Sequence, residues 1–263
     1  MFKAKKIILG LAALSLSAAL LALQANKAYV APILMYHSVI PDAHSYDPLT
    51  ITPISFARQM AFLKQRRFNV ISLEALADLI RSGKKVPPRT LAITFDDGCI
   101  DNYTTVFPIL KKYQVPATMF VITEEVGRPR GDKMTWGQLK EMQDSGLVSI
   151  GSHSLSAEPL INIPLGEELR RCVFDSKKMI EERLGRKVNS FSYPEGRFNG
   201  AIRQMVIDAG YRLAVATSPG KRFSNMDVFA LKRLRISSSS DDLFVFGLEA
   251  SGFYTAVREG RKR

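Results

Sequence analysis

Two adjacent carboxylates follow an apolar segment near the middle of the sequence. Residues 91–95 read Leu-Ala-Ile-Thr-Phe, and Asp96, Asp97 and Gly98 come directly after them. An Asp-Gly pair is also a common turn signal, so a solvent-exposed turn is the alternative interpretation. We favour a functional role, because consecutive side chains at the end of a strand diverge, so that one carboxylate can bind a metal ion while the other stays free as a base.

Histidine is rare in this chain, and two of its three copies follow apolar segments. His153 comes after residues 148–150, and His37 closes the segment 33–36. If both segments are strands of one parallel sheet, these imidazoles lie at the same rim as the two aspartates, where they could bind a metal ion or transfer a proton. The alternative is a core histidine without a function. His44, the third histidine, is expected to be an exposed loop residue.

From about residue 31 the sequence alternates short β-rich segments with segments of helical periodicity. No long linker or low-complexity stretch indicates a second domain. Strands are predicted over Ile33–Val39, Asn69–Ser72, Thr90–Phe95, Ala117–Ile122, Val148–Ser152, Ser190–Tyr193, Leu213–Thr217 and Leu231–Ile236.

Between these strands, apolar residues recur at three- and four-residue spacing, as helices with one buried face require. The predicted faces are Phe56/Met60/Leu63, Leu73/Leu76/Ile80, Trp136/Leu139/Met142 and a series from Leu165 to Leu184. A further helix is predicted over residues 201–208, with Gly210 as its C-terminal stop. Seven or eight such units predict a mostly parallel α/β sheet, open or closed as a barrel, with the active site at the carboxyl ends of the strands.

The composition is that of an ordinary globular protein. The 263 residues are 46% apolar and 24% charged, which excludes a disordered chain and a multi-span membrane protein. Cys99 and Cys172 are too few for a disulfide scaffold and too far apart in sequence for a CxxC site, and we expect no disulfide between them. Any metal ion must therefore be bound mainly by His, Asp or Glu.

Basic residues exceed acidic ones, with a net charge of +12. Residues 1–28 contribute four lysines and no acids, which leaves 33 basic and 25 acidic residues, or +8, for the remainder. That excess suits nucleic acid, an anionic membrane surface or an acidic envelope polymer. Because no nucleic-acid-binding motif accompanies it, we interpret the basic run 258–263 as a solvated tail and expect no nucleic-acid partner.

The amino terminus has the order of an export signal. Lys3, Lys5 and Lys6 precede an uncharged apolar segment, residues 7–23. At about 1.5 Å per residue this segment spans about 26 Å, just short of a hydrocarbon core of about 30 Å. The sequence leaves open whether residues 1–28 are a cleaved signal peptide or an uncleaved membrane anchor. In either case residues 29–263 are predicted to form one domain outside the cytoplasm, secreted or anchored in the cell envelope.

Three ordered motifs resemble those of the NodB-like polysaccharide deacetylases. They are Thr94-Phe-Asp-Asp-Gly98, Gly151-Ser-His-Ser154 and Phe191-Ser-Tyr-Pro-Glu-Gly196. The resemblance extends from Pro32 to about Ser251, and the residues Tyr36-His-Ser-Val39 are most similar to the branch that includes the poly-N-acetylglucosamine deacetylases. The first motif is highly specific, whereas Tyr-Pro-x-Gly alone would be a weak signal. The resemblance implies a distorted (β/α)7 barrel, a monomer, that removes N-acetyl groups from a polysaccharide substrate with the help of a metal ion.

The resemblance also assigns roles to individual residues. Asp97 and His153 match metal ligands, and Asp96 matches the general base. The implied ion is Zn²⁺, or another divalent metal such as Mn²⁺ or Co²⁺, which lowers the pKa of bound water so that the base can take its proton. Pro194 has no N–H, so the backbone N–H of Glu195 is the candidate donor to the oxyanion.

Protonation of the leaving amine requires an acid. Many relatives use a histidine near the C-terminus, but none follows His153 here, which leaves His37 as the candidate. Tyr193 and Pro194 are expected to contact the substrate.

The arginine that some relatives carry in the third motif is replaced by Ser192. Arg233 is therefore expected either to contact the substrate or to orient Asp96, and Arg235 is the alternative for the second role. An exposed charge without a role is as good an interpretation of both arginines.

One departure from the family pattern concerns the second motif. The family has a further metal-binding histidine four positions after the first, where this chain has Ala157. Glu158 is next in sequence and is predicted to complete an Asp97/His153/Glu158 ligand set; the alternative is a solvated loop acid beside a metal-poor site. Two other functions therefore stay open, a relative that binds glycan without turnover and an esterase that removes O-acetyl groups from a polysaccharide.

Overall fold

The computed structural model of the protein describes residues 29–43, 47–217, 224 and 226–254. The segment 1–28, His44 and the basic run 258–263 lie outside the described residues, so the expectations for them stay predictions. Within the described ranges, no helix combines the length and the apolar character needed to cross a membrane.

Parallel strands dominate the described part of the chain. They are β1 (Ile33–Tyr36), β2 (Ser38–Val39), β3 (Thr50–Ile51), β4 (Asn69–Val70), β5 (Thr90–Phe95), β6 (Ala117–Val121), β7 (Val148–Ser152), β8 (Ser190–Ser192), β9 (Leu213–Ala216), β10 (Leu231–Lys232) and β11 (Leu234–Arg235). The helices are α1 (Pro53–Gln65), α2 (Leu73–Arg81), α3 (Phe107–Tyr113), α4 (Trp136–Asp144), α5 (Glu167–Leu184), α6 (Gly200–Asp208) and α7 (Leu243–Ala250).

The main sheet has the strand order β10-β9-β8-β7-β6-β5-β1-β11, with β4 also paired to β5. Its two end strands are consecutive in the chain and are separated only by Arg233. β10 pairs with β9 through Leu231 and Val215, and β11 pairs with β1 through Leu234 and Leu34. The sheet is therefore nearly closed into a barrel surrounded by helices, which confirms the predicted distorted (β/α)7 barrel architecture.

Two predicted strands are interrupted, and one strand was not predicted. The segment 33–39 is divided at His37. Its first part, β1, pairs with β5 over residues 33–36, and β2 then pairs with β3 in a separate two-stranded sheet. The segment 231–236 is divided at Arg233, where the chain passes from one neighbouring strand to the other. Residues 50–51 of β3 are too short for an alternating pattern to be detected.

The helices begin and end close to the expected positions, with one difference. Leu165, assigned to the apolar face of α5, precedes the helix and is 70% exposed. At the end of α6, Gly210 has φ 78° and donates its backbone N–H to the carbonyl of Ile207, which is the predicted glycine stop.

Alternate residues of each strand point to opposite faces of the barrel wall. One set packs outward against the helices, as Leu34 and Ile93 do against the cluster that includes Phe56 of α1. The other set fills the interior with Ile33, Ala92, Phe120, Leu213, Val215 and Leu231. The same alternation carries the side chains of residues 37, 96, 153, 217, 233 and 235 to the interior at the carboxyl ends of the strands.

Phe120 occupies the interior directly below this end of the barrel, and Gly151 on β7 leaves room for it. A Cβ atom on Gly151 would lie 2.5 Å from both the Phe120 ring and the Ser190 hydroxyl. The guanidinium of Arg233 lies over the same ring, 5.6 Å from its centroid. The first residue of the Gly-Ser-His-Ser motif therefore has a packing role that the sequence alone did not indicate.

Candidate active site

A cavity of about 390 Å³ opens at the carboxyl ends of the strands. It is lined by eight of the nine residues that the sequence predicts for the site: His37, Asp96, Asp97, His153, Tyr193, Pro194, Glu195 and Arg233. The ninth, Glu158, is not among the lining residues, whereas Ala157 is.

Asp96 is held through both oxygens of its carboxylate. It is 2% exposed, and its two carboxylate oxygens accept hydrogen bonds of 2.6 Å each from the two terminal nitrogens of the Arg233 guanidinium. Arg233 is itself 1% exposed and also donates to the hydroxyls of Ser192 at 2.9 Å and Thr94 at 3.3 Å. A planar guanidinium matches both oxygens of a carboxylate, so this pair fixes the orientation of Asp96 as well as its charge. Of the two roles considered for Arg233, the structure therefore favours orientation of Asp96 over substrate contact.

The charge state of Asp96 follows from the balance of burial and pairing. Burial alone would raise the pKa of Asp96, but the positive charge of Arg233 and its hydrogen bonds, together with His153, hold that pKa well below the ordinary value. Asp96 is thus a carboxylate over the whole physiological pH range.

Asp97 leaves the strand in a left-handed backbone conformation, with φ 69°. Its backbone carbonyl accepts a hydrogen bond from the Lys133 ammonium at 3.1 Å, and its side chain remains partly exposed to the cavity. The turn brings both acids towards the same imidazole, since His153 Nε2 lies 3.5 Å from Asp97 Oδ1 and 3.7 Å from Asp96 Oδ2.

The other ring nitrogen of His153 orients the imidazole. Nδ1 lies 2.8 Å from the backbone carbonyl of Ser192, which can only accept, so Nδ1 carries the proton in this arrangement. Nε2 then presents its lone pair to the cavity in the neutral ring, as a metal-binding histidine does.

Asp97 and His153 fit a divalent metal ion as two ligands. Ligand atoms about 2.0–2.2 Å from a tetrahedral zinc lie about 3.4 Å apart, close to the 3.5 Å between Asp97 Oδ1 and His153 Nε2. A third protein ligand is not found: the described residues contain no group of three His, Cys, Asp or Glu side chains that could hold a metal ion. The side-chain donors among the described residues thus supply a pair rather than the three ligands common in catalytic zinc sites.

Glu158 does not join this pair in the structure. Its side chain is exposed, and its carboxylate accepts a hydrogen bond of 2.7 Å from the Asn162 amide four residues later. The short helical turn Leu160–Asn162 places that amide beside Glu158 and away from the cavity. The arrangement corresponds to the alternative of a solvated loop acid, and the expected Asp97/His153/Glu158 set is not formed.

His37 lies where β1 ends, with its backbone carbonyl held by the Asn102 amide at 2.8 Å. Its Nδ1 atom is buried and has no hydrogen-bond partner among the described residues. Burial lowers the pKa of His37, while the charges of Asp96 and Asp97 act in the opposite direction. Because Nδ1 is buried, proton exchange between His37 and a bound substrate would use the other ring nitrogen, Nε2, of this cavity-lining residue.

The turn that contains Glu195 is held in an unusual backbone conformation. Glu195 has φ 55° and Gly196 has φ 68°. A Cβ atom on Gly196 would lie 2.6 Å from the backbone nitrogen of Thr217, so the close approach of two strand ends requires glycine there. The Glu195 side chain extends to solvent beside Arg197, at 3.4 Å, so what this residue offers the cavity is its backbone.

Tyr193 contributes its ring rather than its hydroxyl to the cavity. The hydroxyl donates a hydrogen bond of 3.0 Å to the carbonyl of Phe229, and the ring stacks on Phe198 with a centroid distance of 4.1 Å. Burial raises the pKa of Tyr193, so the phenol stays protonated. A substrate contact by Tyr193 is therefore restricted to apolar packing, next to Pro194.

Two further residues position the site and were not assigned by sequence. Asp101 accepts hydrogen bonds from the Ser38 hydroxyl at 2.6 Å and the Val39 amide at 2.7 Å, which fixes the chain just after His37. Ser192 contacts Asp96 and Arg233 through its hydroxyl and His153 through its carbonyl. The position of Asp101, shortly after the Asp-Asp-Gly motif, was the only available signal for it.

Both cysteines are free thiols in the structure. Cys172 is buried in α5 beside Leu169 and Val173, as the apolar pattern predicts. Cys99 follows the Asp-Asp-Gly motif, and its burial raises the pKa to about 12, which keeps the thiol protonated and unreactive.

Comparisons with known proteins identify relatives of this chain. The family model of the polysaccharide deacetylases matches residues 83–214. A putative polysaccharide deacetylase of Bacillus subtilis, YxkH, is 32% identical over 206 residues, which cover 78% of this chain and 71% of that protein. The poly-beta-1,6-N-acetyl-D-glucosamine N-deacetylase of Staphylococcus aureus is 26% identical over 205 residues, covering 74% of this chain and 69% of the relative.

Among solved structures, IcaB from Ammonifex degensii superimposes with a TM-score of 0.73 at 25% identity, over 86% of this chain and 97% of that one. The residues matched by the family model, 83–214, contain all three motifs that contribute to the cavity. The chain belongs to the polysaccharide deacetylase family.

Proposed function

We propose that the protein is a metal-dependent hydrolase that removes N-acetyl groups from a polysaccharide outside the cytoplasm. The observation that carries the proposal is the buried Asp96 carboxylate, held by Arg233 beside the Asp97–His153 pair in an open cavity. The poly-N-acetylglucosamine N-deacetylase named above supports this substrate class.

Asp97 and His153 would hold the divalent ion, with Zn²⁺, Mn²⁺ or Co²⁺ all compatible with one carboxylate and one imidazole. When bound, such an ion polarises the acetamide carbonyl and lowers the pKa of a water molecule. The remaining coordination positions would be filled by water and substrate, because Ala157 offers no donor there.

The chain's own residues supply the proton transfers and the orientation. Asp96 takes a proton from the attacking water, and Arg233 keeps its carboxylate ionised and aimed at the cavity. As water adds to the acetamide carbon, the backbone N–H of Glu195 donates to the oxygen that gains negative charge. The carbon–nitrogen bond then breaks, the protonated imidazole of His37 gives its proton to the departing amine, and acetate is the second product.

Acetate release tests the proposal directly. Purified protein is incubated with an N-acetylglucosamine oligosaccharide, with and without added Zn²⁺, Mn²⁺ or Co²⁺, and acetate and free amine are measured. We expect metal-stimulated release that a chelator stops and that Asp96→Asn abolishes. Release that is unaffected by both the chelator and Asp96→Asn would contradict the proposal.

A second candidate is a glycan-binding protein without turnover. It is favoured by Ala157 and by the absence of a three-donor group from the described residues. The same assay separates the two functions, because the binding protein would retain the oligosaccharide in equilibrium dialysis and release no acetate with any of the metals.

The proposed location rests on the sequence of residues 1–28. Three lysines followed by the uncharged segment 7–23 support export, either with cleavage or as an anchor. Cell fractionation together with N-terminal sequencing of the mature protein tests it, since a full-length protein in the soluble cytoplasmic fraction would contradict export.

A further inference from the structure

Arg235 lies on the same face of the chain as Arg233, two residues further towards the carboxyl ends of the strands. Side chains two residues apart in an extended segment share a face, so both arginines belong to the barrel interior. Arg233 is buried beneath the cavity, whereas Arg235 is exposed at its rim.

The rim at Arg235 separates two cavities. One is the catalytic cavity, and the other has a volume of about 600 Å³ and lies beside it. Thr217, Arg233 and Arg235 line both. A chain of sugars with its reacting unit over Asp96 would therefore extend past Arg235 into the second cavity.

The second cavity is polar. The hydroxyls of Ser237 and Ser239 line it and lie 3.0 Å apart. Groups that both donate and accept hydrogen bonds suit sugar hydroxyls. The acidic residue in the lining of this cavity, Glu249, is only 6% exposed. Lys232 adds a second positive charge to that of Arg235.

Arg235 differs from the other charged residues of the rim in having no partner. Arg233 is paired with Asp96, and Glu195 lies 3.4 Å from Arg197. The side chain of Arg235 has no hydrogen bond or ion pair within the described part of the chain, although its guanidinium has five N–H donors. A guanidinium left unpaired between two cavities is suited to bind a planar or tetrahedral anion.

We infer that Arg235 forms a subsite for a negatively charged substituent, a carboxylate or a phosphate, on the sugar next to the N-acetylated one. This inference rests on the proposed deacetylase function and narrows its substrate to an acidic glycan. Positions 29–263 contain 33 basic and 25 acidic residues. This net positive charge also favours an acidic glycan as the substrate, because a positive protein attracts an anionic polymer.

Matched substrates test the subsite. The probes are an oligosaccharide of alternating N-acetylglucosamine and uronic acid with its neutral methyl ester, and an N-acetylglucosamine oligosaccharide with and without a phosphate on the neighbouring sugar. The proteins are wild type, Arg235→Gln, Arg235→Lys and the control Arg58→Gln, which removes an equal charge from an exposed site on α1. Acetate release gives kcat/KM, and isothermal titration gives Kd.

We expect wild type to prefer the charged member of at least one pair by roughly tenfold, the usual scale of a charge-assisted hydrogen bond. Arg235→Gln should abolish that preference, so that charged and neutral members give equal kcat/KM and Kd values; Arg235→Lys should retain part of it, and Arg58→Gln should behave as wild type. The subsite would be overturned if wild type gave equal kcat/KM and Kd values for the charged and neutral members of both pairs. It would also be overturned if the preference for the charged member survived Arg235→Gln.

Failure of the subsite is distinguishable from failure of the deacetylase proposal. If no probe releases acetate, the same comparison is made with the Kd values, and the preference for the charged member is still expected. Absence of binding by every charged probe at millimolar concentration would overturn the subsite, whereas normal turnover of neutral probes without a charge preference would leave only the deacetylase function standing.

Discussion

Asp96 and Arg233 are 137 residues apart in sequence, and both oxygens of the carboxylate accept hydrogen bonds from the guanidinium at 2.6 Å. Both residues are almost completely buried; Asp96 directly follows β5, and Arg233 lies between β10 and β11. Removing one partner of such a pair leaves an uncompensated buried charge, which is far more costly than losing a surface ion pair.

Replacing Arg233 should therefore destabilise the protein and change the titration of its base. We expect Arg233→Gln to lower the free energy of unfolding by about 3–5 kcal/mol, measured by urea unfolding at pH 7. The pair contributes stability above the ordinary carboxyl pKa of about 3.9 and loses it as the pH falls through the depressed folded-state pKa. In the variant, burial acts without the guanidinium and raises the pKa of Asp96, so the acidic limb of the activity profile should move to higher pH.

The control for this prediction is the double variant Arg233→Gln/Asp96→Asn. It removes both charges and should recover a large part of the lost stability, although it should have no activity. A single Arg233→Gln variant within about 0.5 kcal/mol of wild type, the usual range for surface substitutions, would contradict the pairing energy argued here.

Variants of Asp96 and Asp97 should have different effects, because Asp96 is expected to be the base and Asp97 a metal ligand. Asp97→Ala should abolish both bound metal and acetate release, because it removes one of the two side-chain ligands found among the described residues. Asp96→Asn should retain the metal and lose activity, because an amide cannot accept the proton. Elemental analysis alongside the acetate assay checks both; equal metal loss in the two variants would be inconsistent with this division.

His37 is expected to act as the acid. His37→Ala should lower kcat by roughly 10²–10⁴-fold, the usual contribution of general acid–base catalysis, with little change in bound metal. Because burial lowers the pKa of His37, its protonated form is populated only as the pH falls below the ordinary histidine range, and the alkaline limb of kcat/KM should lie there. A His37→Ala variant with wild-type turnover would remove the assignment.

Metal affinity tests whether Glu158 is a ligand and whether a ligand is missing at position 157. Glu158→Ala should leave metal affinity unchanged, because the carboxylate is exposed and bonded to Asn162. Ala157→His adds an imidazole to the cavity beside Asp97 and His153, and should raise affinity by roughly ten- to hundredfold, the scale seen when a metal site is better ordered. Loss of metal in Glu158→Ala, measured by competitive titration, would instead support the ligand set predicted from sequence.

Gly151 should not tolerate a side chain. Gly151→Ala places a Cβ 2.5 Å from Phe120 and Ser190 inside the barrel, and such overpacking costs about 1–3 kcal/mol. Because Arg233 lies over the Phe120 ring, displacement of the ring should also lower activity. Gly200→Ala, at the exposed first residue of α6, where no atom lies within 4 Å of the added Cβ, is the matched control and should lower neither property; an equally stable and active Gly151→Ala would contradict the packing.

The strands of the barrel and most of the cavity could be predicted from the sequence because their signals are local. Residues 90–95 and 148–152 form an apolar strand and a β-rich strand, each followed by polar residues, and both strands have the predicted bounds. The alternation of side chains then fixes which residues reach the interior. Asp96 and His153 meet for this reason.

Other features depend on contacts that no local pattern contains. The choice between Arg233 and Arg235 as the partner of Asp96 depends on the residue at which the segment 231–235 stops pairing with β9 and starts pairing with β1. The position of Glu158 depends on a hydrogen bond to Asn162 in the following turn, and the need for Gly151 depends on a ring from the neighbouring strand. Sequence spacing alone gives no information about these three relationships.

The near-closure of the barrel at residues 231–235 has a consequence for how the protein matures. These residues are the last strands in the described chain to be synthesised, and they carry the counter-ion of a carboxylate that belongs to β5, made more than a hundred residues earlier. Until the C-terminal segment docks between β9 and β1, the interior holds an unpaired acid and the wall is open. Closure of the wall and pairing of the base with its counter-ion are therefore a single event, so a chain truncated before Arg233 lacks both a sealed barrel and the counter-ion of Asp96.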